Sequence, residues 1–274
     1  AILAEASSSG PVPYRHMAPA KRLPPPKITE PPASAELPAA ARALLRNSRQ
    51  WVVYDLEWTT WEGSLDRLWS GAGEELEVVQ IGACRLDASD GLKEVDSFSV
   101  LVRPTLAPQL SDYFVNLTGV TQSEVDEHGV SFAEALKRLE GFAGPESPLL
   151  SWGPFAVDEA AEEPTLMAGD LYVLERNAQI HGLVAPARER GIDVKSLLLA
   201  SGCDEVRRLN SGRAFQVGGE EAAAEMESLG GGADGRNAAH DALWDARSVG
   251  CALRSRLRAG QLAEFIGGGG GWSP

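Results

Sequence analysis

Two acidic residues stand two positions apart in a strongly apolar segment of the chain. Asp55 and Glu57 belong to Trp51–Glu57, which is otherwise aromatic, β-branched or aliphatic. Because alternate residues of a strand point to the same side, both carboxylates should project together. Burying two such carboxylates together costs free energy unless a cation lies between them. A hard divalent cation is suited to such oxygen ligands. The pair alone is weak evidence, since acidic pairs at strand ends also serve structural roles.

A histidine and a carboxylate lie five positions apart where the last helix should begin. His240 precedes the helical pattern of Ala242–Leu257, and Asp245 falls within it. Near neutral pH a histidine can take a proton from a water that a metal has acidified. The pair therefore suits a general base beside a metal site. A surface or capping histidine is the alternative, and Asp241 is more typical of a helix N-cap than of a ligand.

The segments around these residues predict one α/β domain, residues 49–260, with a sheet covered on both sides. Strand-like and helical patterns cover these segments: Trp51–Glu57, Leu76–Leu86, Val95–Val102 and Pro148–Trp152 for strands; Ala39–Arg46, Val130–Phe142, Leu171–His181 and Ala242–Leu257 for helices.

Three segments of biased composition predict little ordered structure. Residues 1–48 are rich in Pro and Ala and predict a disordered tail, apart from the short helix. Residues 261–274 contain a run of glycines and predict a flexible tail. Residues 218–239 mix Ala, Glu and Gly, and predict a low-complexity loop that joins two structured segments.

The charge argues against a general nucleic-acid binder. The net charge is −14, and residues 1–50 alone contribute +4, which leaves −18 for the remainder. Binding to long phosphate backbones depends largely on Lys and Arg. A protein of this charge that handles nucleic acid should therefore grip only a few terminal nucleotides.

Composition also bears on the compartment. Cys84, Cys203 and Cys251 are too few and too widely spaced for a disulfide framework or a zinc site, so buried free thiols are expected. The sequence contains no run of 18 apolar residues, so it predicts no membrane-spanning helix. An intracellular, cytoplasmic protein is expected, while organellar targeting stays open because the sequence starts at Ala1.

Taken together, the Asp-x-Glu pair and the His-x4-Asp pair resemble the DEDDh (DnaQ-like) 3′–5′ exonucleases of the ribonuclease H-like superfamily. The resemblance runs from about Trp51 to Leu257. Glu77–Ala83 looks like the family's second strand, Leu110–Gln122 like its substrate-side loop, and Asp241–Ser248 like its third motif. The resemblance implies a three-layer α/β/α fold around a central mixed, mostly five-stranded sheet.

The resemblance also implies four metal-binding carboxylates and a histidine, of which Asp55, Glu57, Asp245 and His240 match directly. For the fourth carboxylate, the residues after Gly169 resemble the helix that the metal-binding aspartate opens in relatives. Aligning the two helices favours Asp170. Residues 154–168 are then an insertion. Asp158, inside that insertion, is the alternative.

The function implied is removal of nucleoside 5′-monophosphates from the 3′ end of RNA or single-stranded DNA, with two Mg²⁺ or Mn²⁺ ions. Trp58, Thr59, Leu117 and Thr118 would hold the terminal sugar and base, although Leu117 fits a core position equally well. The choice between RNA and DNA, the substrate length and the oligomeric state stay open.

The sequence bears on two other functions. A catalytically weak or inactive regulatory module on the same fold is favoured by Ala156, which stands where some relatives carry the aspartate after Ser-Trp-Gly. Retention of the other acidic residues argues against it. A dinucleotide-binding enzyme is excluded, because the glycine runs neither follow a strand nor open a phosphate-binding helix.

Overall fold

The computed structural model describes residues 37–67, 69–153, 169–185, 190–229 and 240–265. Its strands are β1 (Gln50–Trp58), β2 (Val78–Asp87), β3 (Lys93–Leu101), β4 (Leu149–Ser151) and β5 (Gly191–Asp193). Its α-helices are α1 (Ala39–Asn47), α2 (Asp112–Thr118), α3 (Gln122–His128), α4 (Phe132–Ala143), α5 (Asp170–Ile180), α6 (Val194–Ala200), α7 (Gly219–Ser228) and α8 (Ala242–Arg258). Short 3₁₀ helices cover Ala88–Asp90, Asp204–Arg208, Ser211–Gly218 and Ala263–Phe265.

The five strands form one mixed sheet in the order β3-β2-β1-β4-β5. β1 pairs antiparallel with β2 and parallel with β4, while β5 pairs parallel with β4. The long antiparallel part therefore joins the short parallel part at β1. This arrangement confirms the predicted mixed, five-stranded sheet.

Each face of the sheet packs against helices, which confirms the three-layer α/β/α architecture. One face contributes Trp51 and Val53 to a core shared with α1, α6 and α8. The other face contributes Val52 and Tyr54 to a core shared with α4 and α5. Alternation of side chains along β1 thus supplies both cores, and it explains why residues 51–54 of this strand are all apolar or aromatic.

Helix α8 lies directly on the sheet because β2 has a glycine beneath it. A Cβ added at Gly82 would overlap the backbone of Ala242 and Leu243 at the start of the helix. Gln80, two residues earlier on the same strand, donates to the Asp241 carboxylate (3.2 Å) and accepts from the Ala242 amide (3.3 Å). Strand β2 therefore fixes the position of the first turn of α8.

The N-terminal boundary differs from the prediction of a disordered tail up to residue 48. Helix α1 is part of the folded domain, and Leu45 is fully buried. Trp51 donates its indole N–H to the Leu45 carbonyl (3.2 Å), which joins α1 to β1. The sequence pattern predicts this short helix, but it gives no sign of the surface that receives it. Residues 1–36 lie outside the described residues.

The C-terminal boundary also differs, because the predicted tail from residue 261 begins with packed residues. Leu262 and Phe265 are buried in the same core as α1. Arg46 donates to the Glu264 carbonyl (2.6 Å), and Arg42 lies over the Phe265 ring (5.6 Å). The two ends of the domain therefore support each other, and the glycine run lies outside the described residues.

The predicted loop at 218–239 is helical in its first half, where α7 occupies Gly219–Ser228. Ala and Glu, read there as low complexity, are strong helix formers. Ala222 and Met226 stand four positions apart and are buried. An ion pair between Glu225 and Arg254 (2.6 Å) joins α7 to α8. Residues 230–239 lie outside the described part of the chain.

Two smaller expectations can be compared with the structure. Cys84, Cys203 and Cys251 are buried free thiols, as predicted. Among the described residues, the structure contains no helix with the length and apolar character needed to cross a membrane.

Candidate active site

The first two carboxylates lie side by side near the end of β1. Asp55 stands opposite Gly82 and Glu57 opposite Gln80 in the antiparallel register, so both face α8. Their residues are only 4% and 9% exposed. The apolar row that faces α8 from β1 therefore ends in two buried carboxylates.

The third carboxylate reaches this point from α5. Asp170 is the first residue of the helix, is 4% exposed, and accepts a hydrogen bond from the Leu56 amide (3.3 Å). Its side chain therefore lies against β1 between the positions of Asp55 and Glu57. The rival Asp158 lies outside the described residues.

The ends of the predicted insertion meet beside Asp170. A Cβ built on Gly153 would lie 3.3 Å from the Gly169 Cα, so these two residues are in contact although fifteen positions separate them. Removing residues 154–168 would leave two ends that a short linker can join. The contact favours the interpretation of residues 154–168 as an insertion, and it therefore favours Asp170 as the fourth carboxylate.

The fourth carboxylate and the histidine come from the start of α8. Asp245 is buried in the first turn, and Asp241 caps the helix by accepting from the Trp244 amide (3.0 Å), the role expected for it. One potential ligand atom from each of Glu57, His240 and Asp245 lies within 4.8 Å of the others. His240 has a left-handed backbone (φ 67°), a conformation that directs the chain sharply into the helix.

Burial and mutual repulsion raise the pKa of every carboxylate in this cluster. The pKa values of Asp55, Glu57 and Asp170 lie well above normal, first because of burial and then because of the neighbouring acidic groups. Burial raises the pKa of Asp245 to about 7, although a hydrogen bond from Ser211 opposes the shift. Burial lowers the pKa of His240, which favours the neutral imidazole.

This carboxylate cluster fits divalent cations better than it fits an empty protein interior. Oδ2 of Asp170 and Oδ1 of Asp245 are buried without a hydrogen-bond partner of normal geometry among the described residues. Buried carboxylate oxygens are normally hydrogen-bonded or bound to a cation. Unpartnered oxygens, raised pKa values and a donor set of four carboxylates together match a site for hard cations such as Mg²⁺ or Mn²⁺.

The cluster opens into a cavity of about 670 Å³. Aromatic and aliphatic side chains from the end of β1, the segment after it and α2 also line the cavity: Trp58, Trp61, Leu65, Trp69, Tyr113 and Leu117. Two of these are unusually exposed for apolar residues, Leu65 at 66% and Tyr113 at 43%. The cavity is therefore lined by both acidic and apolar side chains.

The structure divides the four predicted substrate contacts. Trp58 and Leu117 line the cavity. Thr59 does not, because its buried hydroxyl donates to the Glu75 carbonyl (2.5 Å) and accepts from the Glu77 amide (3.0 Å). The side chain of Thr118 is also taken up locally, by a hydrogen bond to the Phe114 carbonyl (3.0 Å). Both hydroxyls therefore stabilise local turns, and substrate contact by Thr59 and Thr118 stays a prediction.

One polar residue of the site was not predicted from the sequence. Ser211 donates to Oδ2 of Asp245 (2.8 Å), and the adjacent Gly212 brings its backbone against the same carboxylate. A Cβ on Gly212 would lie 2.7 Å from Oδ1 of Asp245. Ser211 and Gly212 stand in an ordinary polar turn, and no spacing signal connects them to α8.

Comparisons with known proteins agree with this geometry. Residues 52–158 match the family model RNase_T, described as an exonuclease. The match includes Asp55 and Glu57 and ends before Asp170 and Asp245, which the fold brings to the same place. A search of curated proteins finds no match.

Solved structures of nucleases share the fold. The nuclease domain of 3′hExo, a DEDDh family member bound to rAMP, aligns with a TM-score of 0.53 at 21% identity, covering 78% of this chain and 94% of that one. A 3′-exonuclease that recognises the histone mRNA stem-loop aligns with a TM-score of 0.52 at 20% identity, covering 77% of this chain and 83% of that one.

The resemblance to the DEDDh exonucleases is confirmed. The E. coli ExoI–ssDNA complex, in a zinc-bound form, also aligns, with a TM-score of 0.52 and 15% identity over 80% of this chain and 42% of that one. The chain thus shares its fold with DEDDh exonucleases, matches an exonuclease family model over residues 52–158, and has an acidic cluster able to hold metal ions.

Proposed function

We propose that this DEDDh-type domain is a 3′–5′ exonuclease that hydrolyses the terminal phosphodiester of RNA or single-stranded DNA and releases nucleoside 5′-monophosphates. The observation that carries the proposal is the convergence of four buried carboxylates from three distant segments on one cavity, with a histidine at its edge. Such a cluster is costly to bury without cations, and phosphodiester hydrolysis uses cations so placed.

Asp55, Glu57, Asp170 and Asp245 would hold two divalent cations, Mg²⁺ or Mn²⁺. When bound, the cations supply positive charge that offsets the carboxylates, lowers the pKa of a water and favours the developing negative charge of the reacting phosphate. Ser211 and Gly212 fix the orientation of the Asp245 carboxylate, so its position does not depend on its own rotamer alone.

His240 is placed to act as the general base. It lines the cavity beside Glu57 and Asp245, and its lowered pKa keeps the imidazole neutral at pH 7. A neutral imidazole can accept the proton of the attacking water. The oxygen of that water forms a bond to phosphorus, the bond from phosphorus to the 3′ oxygen of the preceding nucleotide breaks, and the departing oxygen takes up a proton.

The apolar wall would hold the terminal nucleoside. Trp58 and Leu117 line the same cavity as the carboxylates, so a base packed against them would leave its phosphate near the acidic cluster. Stacking on aromatic rings accepts any base, because every base has a π-face. This arrangement suits an unpaired end with little sequence preference.

The proposal is tested by nucleotide release from end-labelled oligomers, with and without Mn²⁺. We expect release by the wild-type protein in Mn²⁺ and none in EDTA. Asp170→Asn should abolish release, because it removes one charged ligand of the cluster. Asp66→Asn is the matched control, since Asp66 lines the same cavity but is exposed and lies outside the cluster. An Asp170→Asn protein that hydrolyses normally would contradict the proposed ligand set.

The alternative of an inactive regulatory module depends on Ala156, which lies outside the described residues. The four carboxylates favour an enzyme, because a binding module has no need to bury them together. Absence of metal-dependent hydrolysis on both RNA and DNA would favour the alternative.

A further inference from the structure

Basic residues are concentrated on one side of the active-site cavity although the chain is strongly acidic. Between residues 195 and 218 there are four basic and two acidic side chains, against a net charge of −14 for the whole chain. We name the four cations, Lys195, Arg207, Arg208 and Arg213, the basic rim.

The two acidic residues of this segment do not neutralise the whole rim. Asp204 pairs with Arg207 (3.3 Å), and Glu205 pairs with Arg256 (3.0 Å). Within the described part of the chain, neither Arg208 nor Arg213 forms an ion pair, and both are exposed. Exposed ion pairs such as that of Arg207 are weak, so they leave the cation available to a stronger anion.

The basic rim is continuous with the wall of the active site. The Leu209 carbonyl accepts from the Trp152 indole (3.3 Å) and from the Lys195 ammonium (3.5 Å), and Trp152 lines the main cavity. The next residues, Asn210 and Ser211, line that cavity as well.

A second cavity of about 680 Å³ is lined by Arg207, Arg208 and Leu209, together with the ion-paired carboxylates of Asp204 and Glu205. Leu209 of this cavity directly precedes Asn210 of the main cavity. Arg213, in the first turn of the 3₁₀ helix that follows Asn210, stands on the same segment. A chain leaving the active site over Leu209 would pass from the acidic cluster directly to the basic rim.

Another part of the main cavity wall is unsuited to a phosphate backbone. It presents the apolar Leu65 next to the exposed acidic Asp66. An anionic backbone is repelled by Asp66 and gains nothing from Leu65, while guanidinium groups bind phosphate oxygens strongly.

We infer that the basic rim binds backbone phosphates of a single-stranded nucleic acid upstream of the scissile bond, with Arg208 and Arg213 as the main contacts. The inference rests on the proposed exonuclease function and adds to it the path of the substrate. It accounts for how a chain with a net charge of −14 can retain an anionic polymer between successive cleavages.

The test compares two substrates over a range of KCl concentrations in Mn²⁺. One is a single-stranded oligomer of about 20 nucleotides, and the other is the p-nitrophenyl ester of thymidine 5′-monophosphate, too small to reach the rim. The variant is Arg208→Ser/Arg213→Ser. The control is Lys93→Ser/Lys137→Ser, which removes the same charge from exposed positions on β3 and α4, away from the cavity.

At low salt we expect the rim variant to lose about ten-fold or more in kcat/KM for the oligomer relative to the ester. Its plot of log kcat/KM against log salt should be shallower by about 1.4, since each single-strand phosphate contact contributes about 0.7. The control should match the wild type. Equal salt slopes for the rim variant and the wild type, or equal losses on both substrates, would overturn this inference and leave the proposed function standing. If the wild type hydrolyses neither substrate, the proposed function fails and the inference falls with it.

Discussion

At the residue scale, burying four carboxylates together should cost stability in the metal-free protein. The pKa of Asp245 is raised to about 7 by burial, far above that of an unfolded aspartate, and the other three shift in the same direction. An acid with a raised pKa stabilises the folded state fully at pH values below its unfolded pKa. That contribution is lost as pH rises through the folded pKa.

We therefore expect the melting temperature in EDTA to fall between about pH 4 and pH 8 through these groups. Asp245→Asn should raise the metal-free melting temperature at pH 8 and flatten that fall, and Mn²⁺ should stabilise the wild type more than the variant. Glu127→Gln, at an exposed position, serves as the control. Thermal melts across pH measure both. A variant with the same pH profile as the wild type would show that Asp245 carries no such penalty.

His240 yields a second prediction at this scale. Asn tolerates the left-handed backbone found at this position but cannot act as a base. His240→Asn should reduce kcat by roughly 10²–10⁴-fold, the usual range for general acid–base catalysis. Mn²⁺ affinity, measured by calorimetry, should stay near that of the wild type. A collapse of metal affinity would show that His240 is a ligand instead.

At the element scale, the contact between β2 and α8 controls the site from a distance. Gly82→Ala should push the first turn of α8 off the sheet and move Asp245 with it. We expect a large loss of hydrolysis and destabilisation of about 1–3 kcal/mol, the range for overpacking.

Gly141→Ala is the matched control for this substitution. Gly141 lies in α4 with open space around it, so the added methyl should stabilise the helix by about 0.5–1 kcal/mol. Chemical denaturation and hydrolysis assays measure both variants. Normal activity in Gly82→Ala would contradict the role given to this contact.

The contact between Gly153 and Gly169 gives the next prediction. Replacing residues 154–168 with a Gly-Gly linker should preserve hydrolysis, because it keeps both ends of the segment where they are and leaves Asp170 in place. The change also removes Asp158, so it separates the two candidates for the fourth carboxylate. A folded but inactive protein, judged by its thermal melt, would favour Asp158 or another residue of the segment.

At the scale of the whole molecule, the sequence predicts the layered fold because β1 and β4 read as apolar runs, α4 and α8 have helical spacing, and the motifs resemble those of DEDDh exonucleases. The prediction that Asp170 opens a helix is confirmed, since α5 begins at that residue. Other features leave no such trace. Ser211 contacts Asp245 only through tertiary structure, and the Ala and Glu composition of α7 is shared by helices and flexible loops.

The ends of the domain show the same limit. Helix α1 is predicted from its pattern, but its attachment depends on Leu45 and Phe265 meeting across more than 200 residues. Contacts of that separation depend on the assembled core rather than on local propensity. The hydrogen bonds of the Thr59 and Thr118 hydroxyls are likewise not visible in the sequence, since their partners are set by local turns.

The central claim is tested most directly by the polarity of digestion. A single-stranded oligomer labelled at its 5′ end is incubated with the protein in Mn²⁺, and the products are separated at single-nucleotide resolution. The account predicts a ladder of labelled products that shorten from the 3′ end, with release of nucleoside 5′-monophosphates, in the wild type but not in Glu57→Gln. Immediate release of the label as a mononucleotide, internal cleavage, or an equal ladder from Glu57→Gln would contradict it.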